Sequence, residues 1–237
     1  MKIEITEQQL FDYISCPAKY DMRYNKKIIL NDFSFNKILE DVTRYFFIYL
    51  INKLKVPSLR MLTDRLDSLT KNYQDILDNK QYLDGVFKIQ NFYNWACSEQ
   101  LAVFNVGSEY LLSQDNIILK GLMKPLAINK RKQVEFLDLN FSQRNANQDE
   151  CDAKLKYSID MYSYNNFKKN NEQAIGVKIH TVKTNKDIYT TRFDNDYTRM
   201  LTTINNVGKG IINNIYYPRE SHMCSSCIYK NYCRAWK

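Results

Sequence analysis

The chain has 237 residues, and its 34 Lys and Arg against 26 Asp and Glu give a formal net charge of +8. Apolar residues make up 44% of the sequence and charged residues 25%, with only 6 Gly and 4 Pro. This balance excludes a disordered tail protein and a collagen-like or linker architecture, because the chain carries enough apolar surface to fold. The positive charge favours an anionic partner.

No membrane or secretory segment is expected. The longest apolar run, residues 45–51, is far shorter than the ~20 residues of a membrane-spanning helix. The first five residues lack the apolar stretch of a signal peptide. We therefore expect a soluble, cytoplasmic protein whose cysteines are thiols or metal ligands rather than disulfides. The abundance of Asn, Lys, Ile and Tyr is typical of AT-rich genomes, viral ones among them.

The first part of the chain predicts helices. Thr6 can cap a helix over residues 6–25, which is interrupted at Cys16 because Pro17 disfavours helix in the residue before it. Apolar residues at helical spacing predict a second helix over residues 35–54 and two or three more over residues 58–104.

Strand and turn patterns dominate the middle of the chain. Short apolar runs separated by Asn, Asp, Lys and Gly predict strands over residues 109–142 and a hairpin over residues 174–193. Helices are predicted over residues 152–169 and 194–212. The parts of the predicted single α/β domain (1–237) are a helical insertion at about 55–105, a sheet core at about 106–193, and a C-terminal helix with a cysteine-rich tail at about 194–237.

Four cysteines lie at the two ends of the sequence. Cys224 and Cys227 have the two-residue spacing of a metal site in a tight turn, and Cys233 follows after five intervening residues. Three ligands leave one position, for which Cys16 is the natural candidate. The spacing predicts a metal site without naming the metal, with a zinc knuckle or unliganded thiols as the plainer interpretations.

A resemblance to a known family rests on these same cysteines. Residues 16–20, Cys-Pro-Ala-Lys-Tyr, resemble the CPxKY/F element of the iron–sulfur members of the RecB-like PD-(D/E)XK nuclease superfamily. Pro218 followed by the three C-terminal cysteines resembles the closing element of that family, which includes the AddB nuclease domain and the CRISPR-adaptation exonucleases. The resemblance implies a restriction-endonuclease-like fold, with a central mixed sheet flanked by helices and an N-terminal helical part.

The resemblance also implies a cofactor. In the family, the four cysteines hold a four-iron four-sulfur (4Fe–4S) cluster that staples the two chain ends together. Zinc is the fallback. Cys97 and Cys151 would then be core thiols. The implied cluster ligands are Cys16, Cys224, Cys227 and Cys233.

The family's catalytic positions can be carried over one by one. Its nucleases use carboxylates to hold Mg²⁺ or Mn²⁺ and a lysine to position the attacking water. In chain order the matching positions are Asn36, Lys124, Asp138, Asn140, Ser158 and Tyr162. Asn36 replaces a histidine, Lys124 replaces the Asp of a GxxD turn, and Asn140 replaces the lysine. Because only Asp138 and Tyr162 keep the family residue, a degenerate active site is implied, with Mg or Mn expected only if activity survives.

Basic residues surround these positions in sequence. A lysine at position 124 would place positive charge where the family's groove meets a DNA backbone. The predicted nucleic-acid-binding residues are Lys120, Lys124, Lys130, Arg131, Lys132, Lys154 and Lys156. A solvated charged face is the alternative interpretation.

Three functions remain open from the sequence. The leading hypothesis is a catalytically inactive nuclease-like protein that binds DNA, as single strands or ends, or a protein partner in a replication, recombination or defence complex. The second is an active metal-dependent DNA exonuclease with migrated residues, for which Glu109, Glu135 and Asp160 offer acids and Lys154 or Lys156 an amine. The third is a protein-interaction module without DNA binding. No membrane partner is expected.

Overall fold

Eight α-helices and eight strands account for most of the residues that the structure describes. The structure, a computed structural model, describes residues 2–30, 33–73, 75–167, 172–233 and 235. The helices are α1 (Glu7–Ser15), α2 (Pro17–Tyr20), α3 (Phe35–Lys53), α4 (Leu59–Thr70), α5 (Asn79–Glu99), α6 (Gln148–Ala153), α7 (Leu155–Phe167) and α8 (Asp194–Ile212). The strands are β1 (Ile3–Thr6), β2 (Ala102–Asn105), β3 (Glu109–Gln114), β4 (Ile117–Leu122), β5 (Leu126–Ile128), β6 (Val134–Asn140), β7 (Ala174–Thr181) and β8 (Lys186–Thr190).

The chain divides into two compact units. The first unit combines Met1–Phe33, Glu109–Leu122 and Asp194–Lys237, and the second combines Ser34–Ser108 and Met123–Phe193. Each unit has its own mixed sheet, so the strands form two sheets where one central sheet was predicted. The first unit therefore contains both ends of the chain.

The first unit is built on a three-stranded sheet in the order β1-β4-β3. β3 and β4 form an antiparallel hairpin, and β1 pairs in parallel with β4, with Ile5 opposite Leu119. The sequence prediction missed β1 because its four residues are too short to show a period. Helix α8 packs on this sheet through Ile204 and Val207, and Gly208 lets the helix backbone approach Ile117 closely.

Two short helices follow β1. Thr6 caps α1 through a reciprocal capping box with Gln9, as the sequence predicts. The predicted break also lies where expected, because Cys16 is extended and Pro17 begins α2. The 21–25 segment continues as a single wide helical turn.

The second unit is built on a five-stranded sheet in the order β2-β5-β6-β7-β8. Only β6 and β7 run parallel, and the other neighbours are antiparallel. Strand β2 lies inside the segment predicted as a helical insertion and pairs with β5 at the sheet edge. The β7–β8 hairpin turns at Asn185, whose positive φ suits this tight turn.

Helices α3, α4 and α5 pack together through apolar stripes. Phe46 of α3 meets Phe92 of α5 edge to face, with ring centroids 5.1 Å apart. Trp95 stacks on His180 of β7 at 3.9 Å, which attaches α5 to the sheet. His180 is buried. The prediction that Cys97 is a core thiol is wrong. Cys97 is exposed because it lies on the solvent side of α5.

The helix predicted over residues 152–169 is two helices. Asn147 caps α6, so the helical segment begins earlier than predicted, and an extended Lys154 separates α6 from α7. Lys168 and Lys169, the last predicted residues, lie outside the described part of the chain. Across that described part, every helix is too short or too polar to cross a lipid bilayer.

Candidate functional site

Asp138 lies near the carboxyl end of β6, on the face of the sheet that α7 covers. Its Cα pairs with that of Ile179 on the parallel strand β7. Strand alternation places Asp138 and Asn140 on one face, as predicted from the sequence. Asp138 is the only retained acid of the family motif, and it is buried.

Two lysines occupy the two carboxylate oxygens of Asp138. Lys124 Nζ lies 2.7 Å from Oδ1, and Lys154 Nζ lies 3.0 Å from Oδ2. Lys124 comes from the short segment before β5, and Lys154 from the break between α6 and α7. Charge-assisted pairs of this length are among the stronger hydrogen bonds in proteins.

A tyrosine completes the cluster around Asp138. The Tyr157 hydroxyl donates to Asp138 Oδ2 at 2.5 Å, and Lys154 Nζ donates to the same hydroxyl at 3.1 Å. The Lys154 ammonium also lies 4.5 Å from the centre of the Tyr157 ring. The carboxylate therefore receives hydrogen bonds from two ammonium groups and one phenol.

These contacts fix the charge states. Burial alone would raise the pKa of Asp138, but Lys124 and Lys154 hold this pKa well below its usual value. Burial likewise would lower the pKa of Lys124, yet the adjacent Asp138 carboxylate leaves this pKa above its ordinary value. Burial and the same carboxylate raise the pKa of Tyr157 far above that of a free phenol. At neutral pH the Asp138 carboxyl is therefore ionised, the Lys124 amine is protonated and the Tyr157 phenol is neutral.

A buried arginine holds Lys154 and Tyr157 in place. Arg192 follows β8, and its guanidinium donates to the carbonyl oxygens of Cys151 at 2.7 Å and Lys154 at 3.2 Å. It also donates to Ser158 Oγ at 2.9 Å and lies 5.6 Å from the centre of the Tyr157 ring. These bonds add to those from the backbone N–H groups of Lys154 and Tyr157, which also donate to the carbonyl oxygens of Cys151 and Lys154.

The cluster forms one wall of a pocket of about 530 Å³. Glu40 of α3 also lines the pocket, and the loop after β6 closes it with Arg144, Asn145 and Asn147. Cys151, which is buried as the sequence predicts, contributes a thiol whose pKa is raised by burial. The pocket is therefore polar, with cations and carboxylates in comparable numbers.

The other family positions do not all reach this pocket. Asn140 lines it, but its amide donates to Arg144 O at 2.9 Å and shapes the loop. Ser158 is buried under Arg192, and Asn36 and Tyr162 are not among the lining residues. Asn36 is exposed on the first turn of α3, four residues before Glu40.

Most of the predicted DNA-contacting lysines have other partners. Lys120, in the first unit, pairs with Glu4, and the exposed Lys130 lies 3.6 Å from Glu99. Lys156 is buried and its ammonium lies 2.7 Å from Asp160, which argues against a surface contact. Arg131 and Lys132 are exposed in the turn between β5 and β6.

The acids considered as migrated catalytic groups also lie elsewhere. Asp160 is fully buried with Lys156, and Glu135 accepts a hydrogen bond from Asn129 at 3.3 Å. Glu109 belongs to the first unit, on β3. None of these three lines the pocket, whereas Lys154 does.

A divalent metal ion does not fit the pocket as it stands. Mg²⁺ and Mn²⁺ need open carboxylate oxygens, and both oxygens of Asp138 bind ammonium groups. Within the described ranges, no three His, Cys, Asp or Glu side chains are grouped so that they could hold a metal ion. We therefore derive no metal-dependent step at this pocket.

The four terminal cysteines all belong to the first unit. Cys16, Cys227 and Cys233 pack against one apolar cluster around Tyr229. The backbone N–H of Arg219 donates to Cys16 Sγ at 3.4 Å, and that of Ser221 donates to Cys224 Sγ at 3.4 Å.

Among the described residues, no three His, Cys, Asp or Glu side chains, these cysteines included, are grouped so that they could hold a metal ion. A 4Fe–4S cluster on the four cysteines therefore stays a prediction from the motif spacing. When bound, such a cluster supplies a cross-link or an electron carrier.

Comparison with known proteins supports the fold at a coarse level. No family profile and no curated protein matches the sequence. Among solved structures, the chain is similar to a candidate exonuclease from Eubacterium rectale, with a TM-score of 0.57 and 10% sequence identity over 94% of this chain and 86% of that one. The fold is nuclease-like.

A second solved structure, that of SSO0001, has a TM-score of 0.44 and 10% identity over 93% of this chain and 95% of that chain. A similarity of that size carries no argument. The relationship to AddB and to the CRISPR-adaptation exonucleases stays a prediction from the cysteine motif.

Sequence reasoning missed three residues of the site. Tyr157 was hidden because the sequence does not distinguish a tyrosine that binds a carboxylate from one that packs in a buried helix. Arg144 lies in a loop without a motif, and Arg192 acts on a helix break that only the folded chain creates. Lys154, by contrast, was named as a source of the missing amine.

Proposed function

We propose that this chain is a catalytically inactive nuclease-like protein in which Lys124 occupies the position of the catalytic metal ion. The observation that carries the proposal is the 2.7 Å pair between Lys124 Nζ and Asp138 Oδ1. A tethered ammonium satisfies the charge of the carboxylate as a metal ion would. It offers no coordination site for water and cannot generate a hydroxide nucleophile.

The same pocket is proposed to bind single-stranded DNA or DNA ends. Lys154 is half exposed at the pocket, and Arg144 is exposed beside it, so two cations remain within reach of a phosphate. The exposed turn at residues 130–132 and the net charge of +8 add non-specific attraction. The protein would then act as a subunit or modulator of a nucleic-acid-processing complex.

A nuclease assay tests the hypothesis that the protein is catalytically inactive. The parent and Asp138→Ala are incubated with Mn²⁺ and single-stranded DNA, and both are expected to give the same background. Cleavage by the parent that Asp138→Ala abolishes would favour the active exonuclease, with Lys154 as the migrated amine 3.0 Å from the acid. Binding of the same DNA, measured by fluorescence anisotropy, tests the proposed DNA binding. Failure to bind would favour the protein-interaction module.

We further propose that the four terminal cysteines hold a 4Fe–4S cluster. Support comes from the motif spacing, the shared apolar cluster and the N–H···S bonds to Cys16 and Cys224. Visible absorption of anaerobically purified protein tests this, since iron–sulfur proteins are brown and zinc proteins colourless. A colourless protein that contains stoichiometric zinc would contradict the proposal.

A further inference from the structure

The tail that carries three of the cysteines is anchored by a tyrosine. Tyr229 is 1% exposed, and it packs with Ala18 and Met22 of the N-terminal helical segment. Its hydroxyl donates to the carbonyl oxygen of Ile28 at 3.1 Å. A buried aromatic ring with a satisfied hydroxyl is a strong packing anchor. None of these three partners is a cysteine.

Hydrogen bonds outside the cysteines join the same two segments just before the tail. The Tyr13 hydroxyl donates to Ile215 O at 2.7 Å, and Ala18 N–H donates to Tyr217 O at 3.2 Å. The Arg219 guanidinium donates to Ile14 O at 2.8 Å. Backbone, tyrosine and arginine contacts therefore join the N-terminal and C-terminal segments at residues that precede Cys224 in the sequence.

The sulfur atoms lie around this anchor. Cys16 comes one residue before α2, which carries Ala18, while Cys227 lies two residues before Tyr229. Cys233 is partly buried against the same apolar cluster. When Tyr229 docks, Cys227 and Cys233 lie against the same apolar cluster as Cys16.

We propose that Tyr229 is a positioning residue that docks the tail and holds Cys227 and Cys233 against the apolar cluster that Cys16 also contacts, before any metal binds. The tail is then ordered in advance, and the cofactor is not what first brings the two chain segments together. Preorganisation of this kind raises affinity because the ordering cost is met by folding. The role of Tyr229 in cluster retention rests on the proposed iron–sulfur cofactor, whereas its role in docking does not.

A metal-free variant tests the docking. Cys16, Cys224, Cys227 and Cys233 are all changed to Ser, and hydrogen exchange of the peptide over residues 217–233 is followed by mass spectrometry. Slow exchange is expected to persist in this background. Tyr229→Ala added to it should speed exchange roughly 100-fold, the scale of losing a buried aromatic ring.

Matched variants make the result specific. Tyr232→Ala, which removes a half-exposed ring from the same tail, and Tyr229→Phe, which keeps the buried ring, should both leave exchange slow. The proposal is overturned if the four-serine protein already exchanges at the rate of an unstructured peptide. It is equally overturned if Tyr229→Ala and Tyr232→Ala behave alike.

Cluster retention gives a spectroscopic readout in the cysteine-containing protein. After anaerobic reconstitution with iron and sulfide, a chelator should bleach the visible absorption at least about tenfold faster in Tyr229→Ala than in Tyr232→Ala. Equal bleaching rates would contradict the positioning role. If no variant takes up iron, the cofactor proposal fails, and the exchange result alone decides the docking of the tail.

Discussion

A carboxylate with an ammonium group on each oxygen dominates the chemistry at the scale of single residues. Taking Asp138 and Lys124 out of water is costly, and their mutual attraction offsets that cost only while both are present. Lys154 and the Tyr157 hydroxyl satisfy the remaining lone pairs of the carboxylate. We therefore expect the stability of the protein to change very differently when Lys124 alone is replaced and when Lys124 and Asp138 are replaced together.

Lys124→Met leaves Asp138 with one ammonium group in a buried site. We expect it to lower the free energy of unfolding by about 2–4 kcal/mol in urea denaturation. The double variant Lys124→Met/Asp138→Leu should be less destabilised than the sum of the two single variants, because no uncompensated charge pair remains. Lys120→Met is the control. Its partner Glu4 is exposed, so its loss should cost less than about 1 kcal/mol.

Additivity of the two single variants at position 124 and position 138 would contradict a coupled pair. A Lys124→Met protein as stable as the parent would show that the ammonium contributes nothing to the folded state. Either outcome would also weaken the argument that Lys124 replaces a metal ion.

At the scale of elements, the break between α6 and α7 is what brings Lys154 and Tyr157 to Asp138. Had the helix continued unbroken through residue 154, Lys154 would have a helical backbone. Arg192, from the segment after β8, donates to the carbonyl oxygens of Cys151 and Lys154 at the break, in addition to the backbone N–H groups that these oxygens accept. The geometry of the pocket therefore depends on a residue outside its walls.

Arg192→Met should destabilise the protein by about 2–4 kcal/mol, because it removes the buried guanidinium that donates to Ser158 Oγ and to the carbonyl oxygens of Cys151 and Lys154. Arg199→Met is the matched control. Arg199 is more than half exposed, its ion pair with Asp196 is 3.6 Å long, and its loss should cost less than about 0.5 kcal/mol. Thermal unfolding monitored by circular dichroism measures both. Equal melting temperatures for the two variants would contradict the role assigned to Arg192.

The elements also show what sequence reasoning can reach. The helix predicted over residues 35–54 is observed at Phe35–Lys53, because a long amphipathic stripe carries a clear period. Asp138 could be placed on the correct face by strand alternation alone. The break at Lys154 could not, since it is stabilised by Arg192, whose contact with it exists only after folding. Strand β1 was missed for a related reason, because its partner β4 lies far along the chain.

At the scale of the whole molecule, several of the lysines that the sequence predicts to contact DNA are engaged within the protein. Lys120 and Lys130 meet acids, and Lys156 is buried. The net charge of +8 therefore does not by itself locate a surface that binds nucleic acid. The proposed DNA site depends on a small number of cations, with Arg144 foremost among them.

Salt dependence of DNA binding tests this distribution. Arg144→Ala should weaken binding and lower the slope of log affinity against log salt by about one unit, the contribution of one phosphate contact. Arg199→Ala removes the same charge from α8, a helix that does not line the pocket, and should leave the slope unchanged. If the two variants lower the slope equally, binding reads only the total charge and the pocket is not the site.

The division of the first unit among three chain segments sets an order of events during synthesis. Strand β1 leaves the ribosome before its partner β4, which appears only after α3, α4 and α5 of the second unit have been made. Ile5, which is buried in the folded protein, has to wait for Leu119, and Cys16 has to wait for the cysteines of the tail. The second unit is complete once Phe193 has emerged. The apolar side chains of the N-terminal segment are therefore exposed to aggregation while the rest of their unit is being made.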